Sequence, residues 1–408
     1  MSLAKLTHNN NHYPPGITYG GDPEIFLAQE SGIIGAERVI PEAGITDGDY
    51  ALGQLVLDGV QAELHPYASA CRAGFTNSIR AILIELRKRL ETHKGTSVSW
   101  SGVVDVPEEE LKILSEKARV LGCEGSENAY GEGAKADLAA VNAAAYRTRS
   151  AGGHIHIGLP LAAHSADVQA AYDAAYKKWY HEYCVKGNYK PAPKYPPQKI
   201  DYDHYPPVEM AKAMDYLTGN TCVLLDRDPR AAERRKLYGR AGEYRTPPHG
   251  FEYRTLSNFW LRSVQLTSFV LGLARMTASV FYANGCYSPD YRKDLFSTVD
   301  PALVEKAINL NDADLALKNW EAIRPYIAEM FVETPDATQC GMYSGYSLDA
   351  RLIPDFEFFL TRPITEWFSQ DPLTHWTTLP ADTHNNGWES FLIKTVRPMR
   401  VEKEQVAA

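Results

Sequence analysis

The chain has 408 residues and a net charge of −9, from 42 Lys and Arg against 51 Asp and Glu, which argues against a nucleic-acid backbone as the main partner. Hydrophobic residues make up 44% and charged residues 23%, ordinary globular proportions that exclude a disordered or fibrous chain. At about 100–200 residues per domain, the length allows two or three compact units or one large unit with insertions.

The N-terminal MSLAKLTHNNNHYPP lacks the apolar run of a signal peptide, so a cytoplasmic location is expected. From Ile17 to Gly59, short β-like runs (ITYG, EIFLA, GIIGA, QLVLDG) broken by glycines predict an antiparallel meander. Thr76–His93 places Ile79, Ile82, Leu83 and Leu86 on one helical face. VSWSGVVDV then reads as a strand, EEELKILSEKARVLG as a helix and GGHIHIG as a short strand. Ser165–Tyr183 is a Tyr- and Ala-rich helix with Ser165 as its N-cap. Residues 188–207 combine six prolines with four tyrosines and cannot be regular helix or central strand; a surface loop or a flap over a site is expected. Strands resume at Leu237–Thr246 and Phe251–Thr255, followed by a helix from about Ser257 to Ala283. Within that helix the longest apolar stretch is broken by Arg262, Gln265 and Arg275, so it cannot span a membrane. PALVEKAINL, ADLALKNWEAIRPYIAEMFVE and ITEWF predict a mainly helical C-terminal layer. Six cysteines without a CxxC pair read as free thiols. Strands and helices without regular βαβ alternation argue for an α+β fold with a mostly antiparallel sheet covered on one side.

Side chains at i and i+2 of a strand share a face, roughly 6–7 Å apart. By this rule Asp22 pairs with Glu24, His154 with His156, Glu243 with Arg245, and Glu252 with Arg254. Gln61, Glu63 and His65 are in phase, and Asp58 joins them if Gly59 supplies a bulge. One such pair is ordinarily just a solvated sheet face. Together they repeat carboxylates, imidazoles and arginines, and clustered carboxylates repel unless cations sit among them. Oxygen donors with an occasional imidazole suit Mg²⁺ or Mn²⁺ better than Zn²⁺. Arginines beside such ions suit a metal-bound triphosphate.

GGDPEIFL, DGVQAELHP, SAGGHIHIG and FEYRTLSNFWLRS, in this order from about Tyr19 to Arg262, resemble the phage-associated carboxylate-amine (COOH-NH2) ligases of type 2, a branch of the glutamine synthetase and glutamate-cysteine ligase superfamily. The resemblance implies a curved antiparallel sheet forming a funnel, with ATP at one end, substrates at the other and two or three Mg²⁺ or Mn²⁺ ions between. It implies a catalytic domain over residues 12–290, interrupted by the excursion at 188–207, with a helical region at 291–408 packed on it. Asp22, Glu24, Glu63, His156 and Glu252 match metal-ligand positions, although Asp-Pro-Glu replaces Glu-x-Glu, so Asp22 would reach its metal through water. Arg240, Arg245 and Arg254 match arginines that clamp phosphates or the substrate carboxylate. His154 and Asn258 are candidates for nucleotide contact. Glu127, Asn128 and Tyr130 read as substrate-loop residues or a turn, and Arg147 and Arg149 as site residues or helix caps.

The implied reaction is ATP-dependent formation of an amide or isopeptide bond through an acyl phosphate. Its partners are a small-molecule or peptide carboxylate and an amine; no membrane is involved, and a homo-oligomer is compatible with the superfamily. The setting would be a host cytoplasm for a phage-encoded chain. Two other readings stay open: a Zn-dependent amidohydrolase-like enzyme, for which HxH is a known opening, and a non-catalytic nucleotide-binding or structural phage protein with the same fold.

Overall fold

The computed structural model describes residues 18–46, 53–69, 72–119, 125–131, 146–159, 166–182, 205–281, 289–333, 352–362 and 368–378, with isolated positions between 161 and 203 and at 364. Strands β1 (Thr18–Gly21), β2 (Glu24–Gln29), β3 (Gly32–Ile34), β4 (Ile45–Thr46), β5 (Gly53–Asp58) and β6 (Gln61–Pro66) lead into helix α1 (Arg72–Thr92). After β7 (Ser97–Ser99) and β8 (Val103–Asp105) come two short helices, α2 (Glu108–Ile113) and α3 (Glu116–Arg119). Then follow β9 (Glu127–Asn128), β10 (Thr148–Ser150), β11 (Ile155–Gly158) and helix α4 (Ala166–Tyr180). Helices α5 (Pro207–Met214), α6 (Asn220–Val223) and α7 (Ala231–Leu237) precede β12 (Glu243–Arg245) and β13 (Gly250–Tyr253). The chain continues through α8 (Val264–Val280), α9 (Pro289–Thr298), α10 (Pro301–Leu310), α11 (Ala313–Glu333), α12 (Leu352–Thr361) and α13 (Pro372–Thr378).

The fold is α+β with curled antiparallel sheets. One sheet has the order β1-β11-β13-β12-β9, a second runs β3-β2-β6-β5-β4 with β7 also pairing β2, and β10 and β8 form a separate two-stranded sheet. The expected single meander is therefore two sheets. Pro23 has no N–H to give to a ladder, so the chain leaves the first sheet after Gly21 and enters the second at Glu24. Asp22 stands at this crossing. Tyr19 of β1 and Ser69, in the connection after β6, exchange hydrogen bonds of 2.8 Å.

Helix α1 backs β5 and β6, burying Ile79, Ile82, Leu83 and Leu86 as their spacing predicts. Each such side chain contributes about 1.5–3 kcal/mol. Helix α8 lies against α1, α5 and β11 and completes the layer behind the site. The helices at 301–310 and 313–333 have the bounds their sequence patterns suggest.

Other expectations need correction. Gly102 splits the strand from Val98 to Val106, and its N–H donates to Asp228 Oδ2 at 2.5 Å. The helix expected at 108–122 breaks at Leu114, where Ser115 Oγ accepts from Ala118 N and starts a new turn. Leu237 ends α7 rather than opening a strand. The long helix near 257 is a 3-10 turn over Asn258–Arg262, after which the Ser263 hydroxyl caps α8 by accepting from Leu266 N. Asp215–Gly219 is a π-helical segment. Ser165, most of ITEWF, part of the 188–207 excursion and all the cysteines except Cys222, a buried free thiol, lie outside the described residues. Among the described residues no helix is long and apolar enough to cross a membrane.

Candidate active site

Strand register builds the first cluster. Gly20 pairs with His156, His156 with Glu252, and Glu252 with Arg245, so these residues form one row across β1, β11, β13 and β12. Asp22, just past the end of β1, faces that row. Its Oδ1 lies 3.0 Å from His154 Nδ1 and its Oδ2 lies 3.3 Å from His156 Nε2. His154 Nδ1 is also 3.4 Å from Glu252 Oε1. Asp22, His156 and Glu252 each bring a donor atom within 4.8 Å of the others. Burial alone would raise the Asp22 carboxyl, but His154 and His156 together hold it well below the usual range. Burial lowers His154 to about 4, helped by Arg254. His156 moves upward, because Asp22, Glu252 and Glu63 outweigh its burial.

The second cluster lies across the crossing. Glu24 pairs with Glu63 between β2 and β6, and Asp58 pairs with Gln61 between β5 and β6. Glu24, Asp58 and Glu63 likewise bring oxygens within 4.8 Å of one another. Asp58 joins through hairpin register, with Gly59 at φ +56° in the two-residue turn, so no bulge is needed. Glu24 Oε2 accepts from Gly152 N at 2.7 Å and Gln61 Nε2 at 2.9 Å. Glycine is required at 152, where a Cβ would fall 2.4 Å from both His154 Nε2 and Tyr238 Oη. Glu24 is raised to about 8 by burial and then by Asp58 and Glu63. Asp58 is raised to about 6 by burial, Glu63 and Asp22. Glu63 is raised by burial, although His65 Nε2, 2.8 Å from its Oε2, opposes this.

Both donor sets fit divalent cations. Asp22 Oδ1, His154 Nδ1 and His156 Nε2 are buried without a completed hydrogen bond, so each keeps unused bonding capacity that a cation could take up. The second cluster is all oxygen, the donor type of Mg²⁺ and Mn²⁺.

The arginines divide. Arg254 is buried, pairs with Glu252, and sits over the Tyr238 ring at 5.1 Å. Arg245 Nε is 3.6 Å from Glu252 Oε2. Arg240 is not drawn in: its side chain is exposed, and its carbonyl accepts from Thr255 Oγ1 at 2.9 Å. Asn258 is buried beneath the second sheet, where its Nδ2 donates to the Glu24 carbonyl at 2.8 Å, so it supports Glu24 directly. Arg147 and Arg149 serve the backbone: Arg147 Nε donates to Val106 O, and Arg149 donates to Tyr146 O and to Arg119 O at the end of α3. In edge strand β9, Glu127 accepts from Tyr244 Oη at 2.7 Å and Asn128 donates to Ala241 O at 2.8 Å, fixing the sheet edge.

Sequence reasoning missed His249, whose ring stacks on His156 at 5.0 Å with its Nε2 2.9 Å from His156 Nδ1. The signal was the short turn between β12 and β13: once Gly250 pairs with Gly158, the preceding residue must lie beside β11. Arg234 was also missed; it donates to the carbonyls of Ala151, Thr255 and Leu256 and ties β13 to the GG turn. Nothing in its local sequence marks this role.

Residues 203–333 match the family model described as Phage phiEco32-like COOH.NH2 ligase-type 2. The match holds Arg245, His249, Glu252, Arg254 and Asn258 and runs well past Arg262, whereas Asp22, Glu24, Glu63 and the HxH strand lie outside it. No curated protein matches the chain. Among solved structures, a bifunctional glutathione synthetase from Pasteurella multocida is similar at TM-score 0.43 and 10% identity, over 94% of this chain and 49% of that one. The chain thus spans about half the length of that protein.

Proposed function

We propose that the chain is an ATP-dependent carboxylate-amine ligase of the glutamine synthetase superfamily, forming an amide or isopeptide bond through an acyl phosphate. The observation that carries this reading is the row His156, Glu252 and Arg245, joined by Arg254 and facing Asp22, with the Glu24, Asp58 and Glu63 oxygens directly beyond the crossing. The curled sheets are read as the wall of a funnel. Residues 12–290 are read as the catalytic unit and 291–408 as a helical region packed on it.

Asp22, His156 and Glu252 would hold one divalent ion, and Glu24, Asp58 and Glu63 another; Mg²⁺ or Mn²⁺ supplies neutralisation of polyphosphate charge. Arg254 and Arg245 act beside Glu252, where planar guanidinium forks can take charge developing on the transferred phosphoryl group. A substrate carboxylate oxygen attacks the γ-phosphorus and ADP leaves. The amine nitrogen then attacks the acyl carbon, inorganic phosphate departs, and a proton is released. Phosphorylation is needed because a bare carboxylate repels nucleophiles and has a poor leaving group. The protein contributes position and electrostatics.

The test is ADP release in the presence of Mg²⁺ or Mn²⁺ and panels of carboxylates, with hydroxylamine trapping the acyl phosphate as a hydroxamate. Dependence of both signals on metal and carboxylate, and their loss in Glu252→Gln, is expected. Zinc-supported amide hydrolysis without nucleotide would instead favour an amidohydrolase.

A further inference from the structure

Next to the first cluster is a pocket of about 460 Å³. Its lining includes Gly20, Gly21, Asp22, His65, His156 and His249. We infer that this pocket is the amine subsite, and that it takes an organic amine of roughly amino-acid size rather than ammonia. The inference rests on the ligase reading above and deepens it.

Size gives the first reason. Ammonia is about as large as water, whose share of liquid volume is about 30 Å³, whereas pockets for small organic ligands run to about 300–1,000 Å³. A site dedicated to ammonia has no use for a space some fifteen times larger. Charge gives the second. Among the described residues the pocket lining has one carboxylate, Asp22, and no Lys or Arg, so an amine can donate to Asp22 whereas a carboxylate finds no guanidinium fork to receive it. Position gives the third. Gly20 and Arg245 stand at opposite ends of one cross-strand row, three strand spacings or about 14–15 Å apart. Anionic phosphates belong at the guanidinium end. The glycine end is left for the nucleophile, and His156 and Glu252 lie between, where the acyl carbon must be for nitrogen to form its bond as the carbon–oxygen bond to phosphate breaks.

Gly20 provides a clean probe. Its φ is not in the left-handed region, and the nearest atoms to a Cβ there would be His156 Cβ at 3.6 Å, Ala68 Cβ at 3.8 Å and Ala68 Cα at 4.0 Å, ordinary contacts. Gly20→Val should therefore keep the strand and fill the pocket, with Gly20→Ala as a milder step; circular dichroism and thermal melting check both. Saturation-transfer NMR with 1,5-diaminopentane, ethanolamine and glutarate reads the pocket, and calorimetry with Mg²⁺ and a non-hydrolysable ATP analogue reads the nucleotide end. The expected result is saturation of the two amines but not of glutarate in the unaltered chain. Equimolar ammonium should fail to displace the diamine. The diamine signal should fall at least fivefold in Gly20→Val and by less in Gly20→Ala, with nucleotide affinity within twofold. Nucleotide binding with no amine saturation overturns the subsite, as does loss of nucleotide affinity in Gly20→Val, which would give the pocket to the nucleotide. Amine binding without any nucleotide binding would leave the subsite standing and overturn the ligase reading.

Discussion

Asp22 and Glu24 are two residues apart and burial acts on both, yet their carboxyls are displaced in opposite directions. Asp22 belongs to a cluster that contains its own cations: His156, shifted upward, reaches it alongside the His154 ring, and Arg254 and Arg245 hold its neighbour Glu252. Glu24 belongs to a cluster whose other members, Asp58 and Glu63, are also acidic and whose nearest paired cation is His65, half exposed at the rim. The first cluster is compensated by the protein itself; the second is complete only with a proton or a metal ion. Proximity in sequence therefore says little about charge state when a proline sends the chain from one sheet to another between the two residues.

The largest test of this contrast removes the protein's own compensation. Arg254→Met should destabilise the fold by about 3–5 kcal/mol, because Glu252 keeps a buried charge after its guanidinium partner is gone. Urea unfolding reads this, and a loss below about 1 kcal/mol would mean that Glu252 is not compensated as described.

A second test follows stability against pH without metal. Glu24 and Asp58 titrate in the folded chain near 8 and 6, above their ordinary 4.5 and 3.8, so the unfolded chain binds fewer protons between these values. Their contribution is fully present below the ordinary carboxylate range and is lost as pH rises through about 6 and then 8, on the order of a few kcal/mol. Asp22 behaves in the opposite sense: its depressed carboxyl stabilises the fold above the ordinary value and ceases to do so only in acid. Melting temperature should fall from pH 5 to pH 8, and Mg²⁺ should recover most of the loss. A flat profile would contradict the proton-or-metal account of the second cluster.

The paired amides sharpen the comparison further. At pH 8 without metal, Glu24→Gln should leave stability unchanged or raise it by about 1 kcal/mol, since it removes an uncompensated charge. Glu252→Gln should lower stability by about 2 kcal/mol, since it breaks a buried ion pair. Both should weaken Mn²⁺ binding, read by electron paramagnetic resonance, by more than the roughly 10–100-fold typical of an outer partner. Equal effects of the two amides on metal-free stability would dissolve the distinction between the clusters. His249→Ala is the smallest expected change. It removes the ring that orients His156 from outside, and Mn²⁺ affinity should fall by about tenfold or less without a change in melting temperature.

Much of the site was legible from period-two reasoning. That rule brings His154 and His156 to the same carboxylate and sets Glu252 against Arg254, because a strand leaves little choice about which way alternate residues point. It failed where side chains answer to more than their own strand. Arg240, which the family resemblance and not the strand period suggested, follows α7 into an exposed connection. Asp58 reaches its cluster by pairing across a hairpin, and His249 through a turn whose position depends on Gly250 meeting Gly158. Arg234 depends on carbonyls from three separate positions, 151, 255 and 256.

By itself the sequence determined the donor types, their pairing along each strand and the helix that backs the second sheet, because these follow from backbone geometry over a few residues. Only the tertiary structure decided that the acidic residues form two clusters rather than one, which arginines reach them, and which carboxyl is held ionised. Those outcomes depend on distances between chain segments far apart in sequence and on how much water remains around each charge.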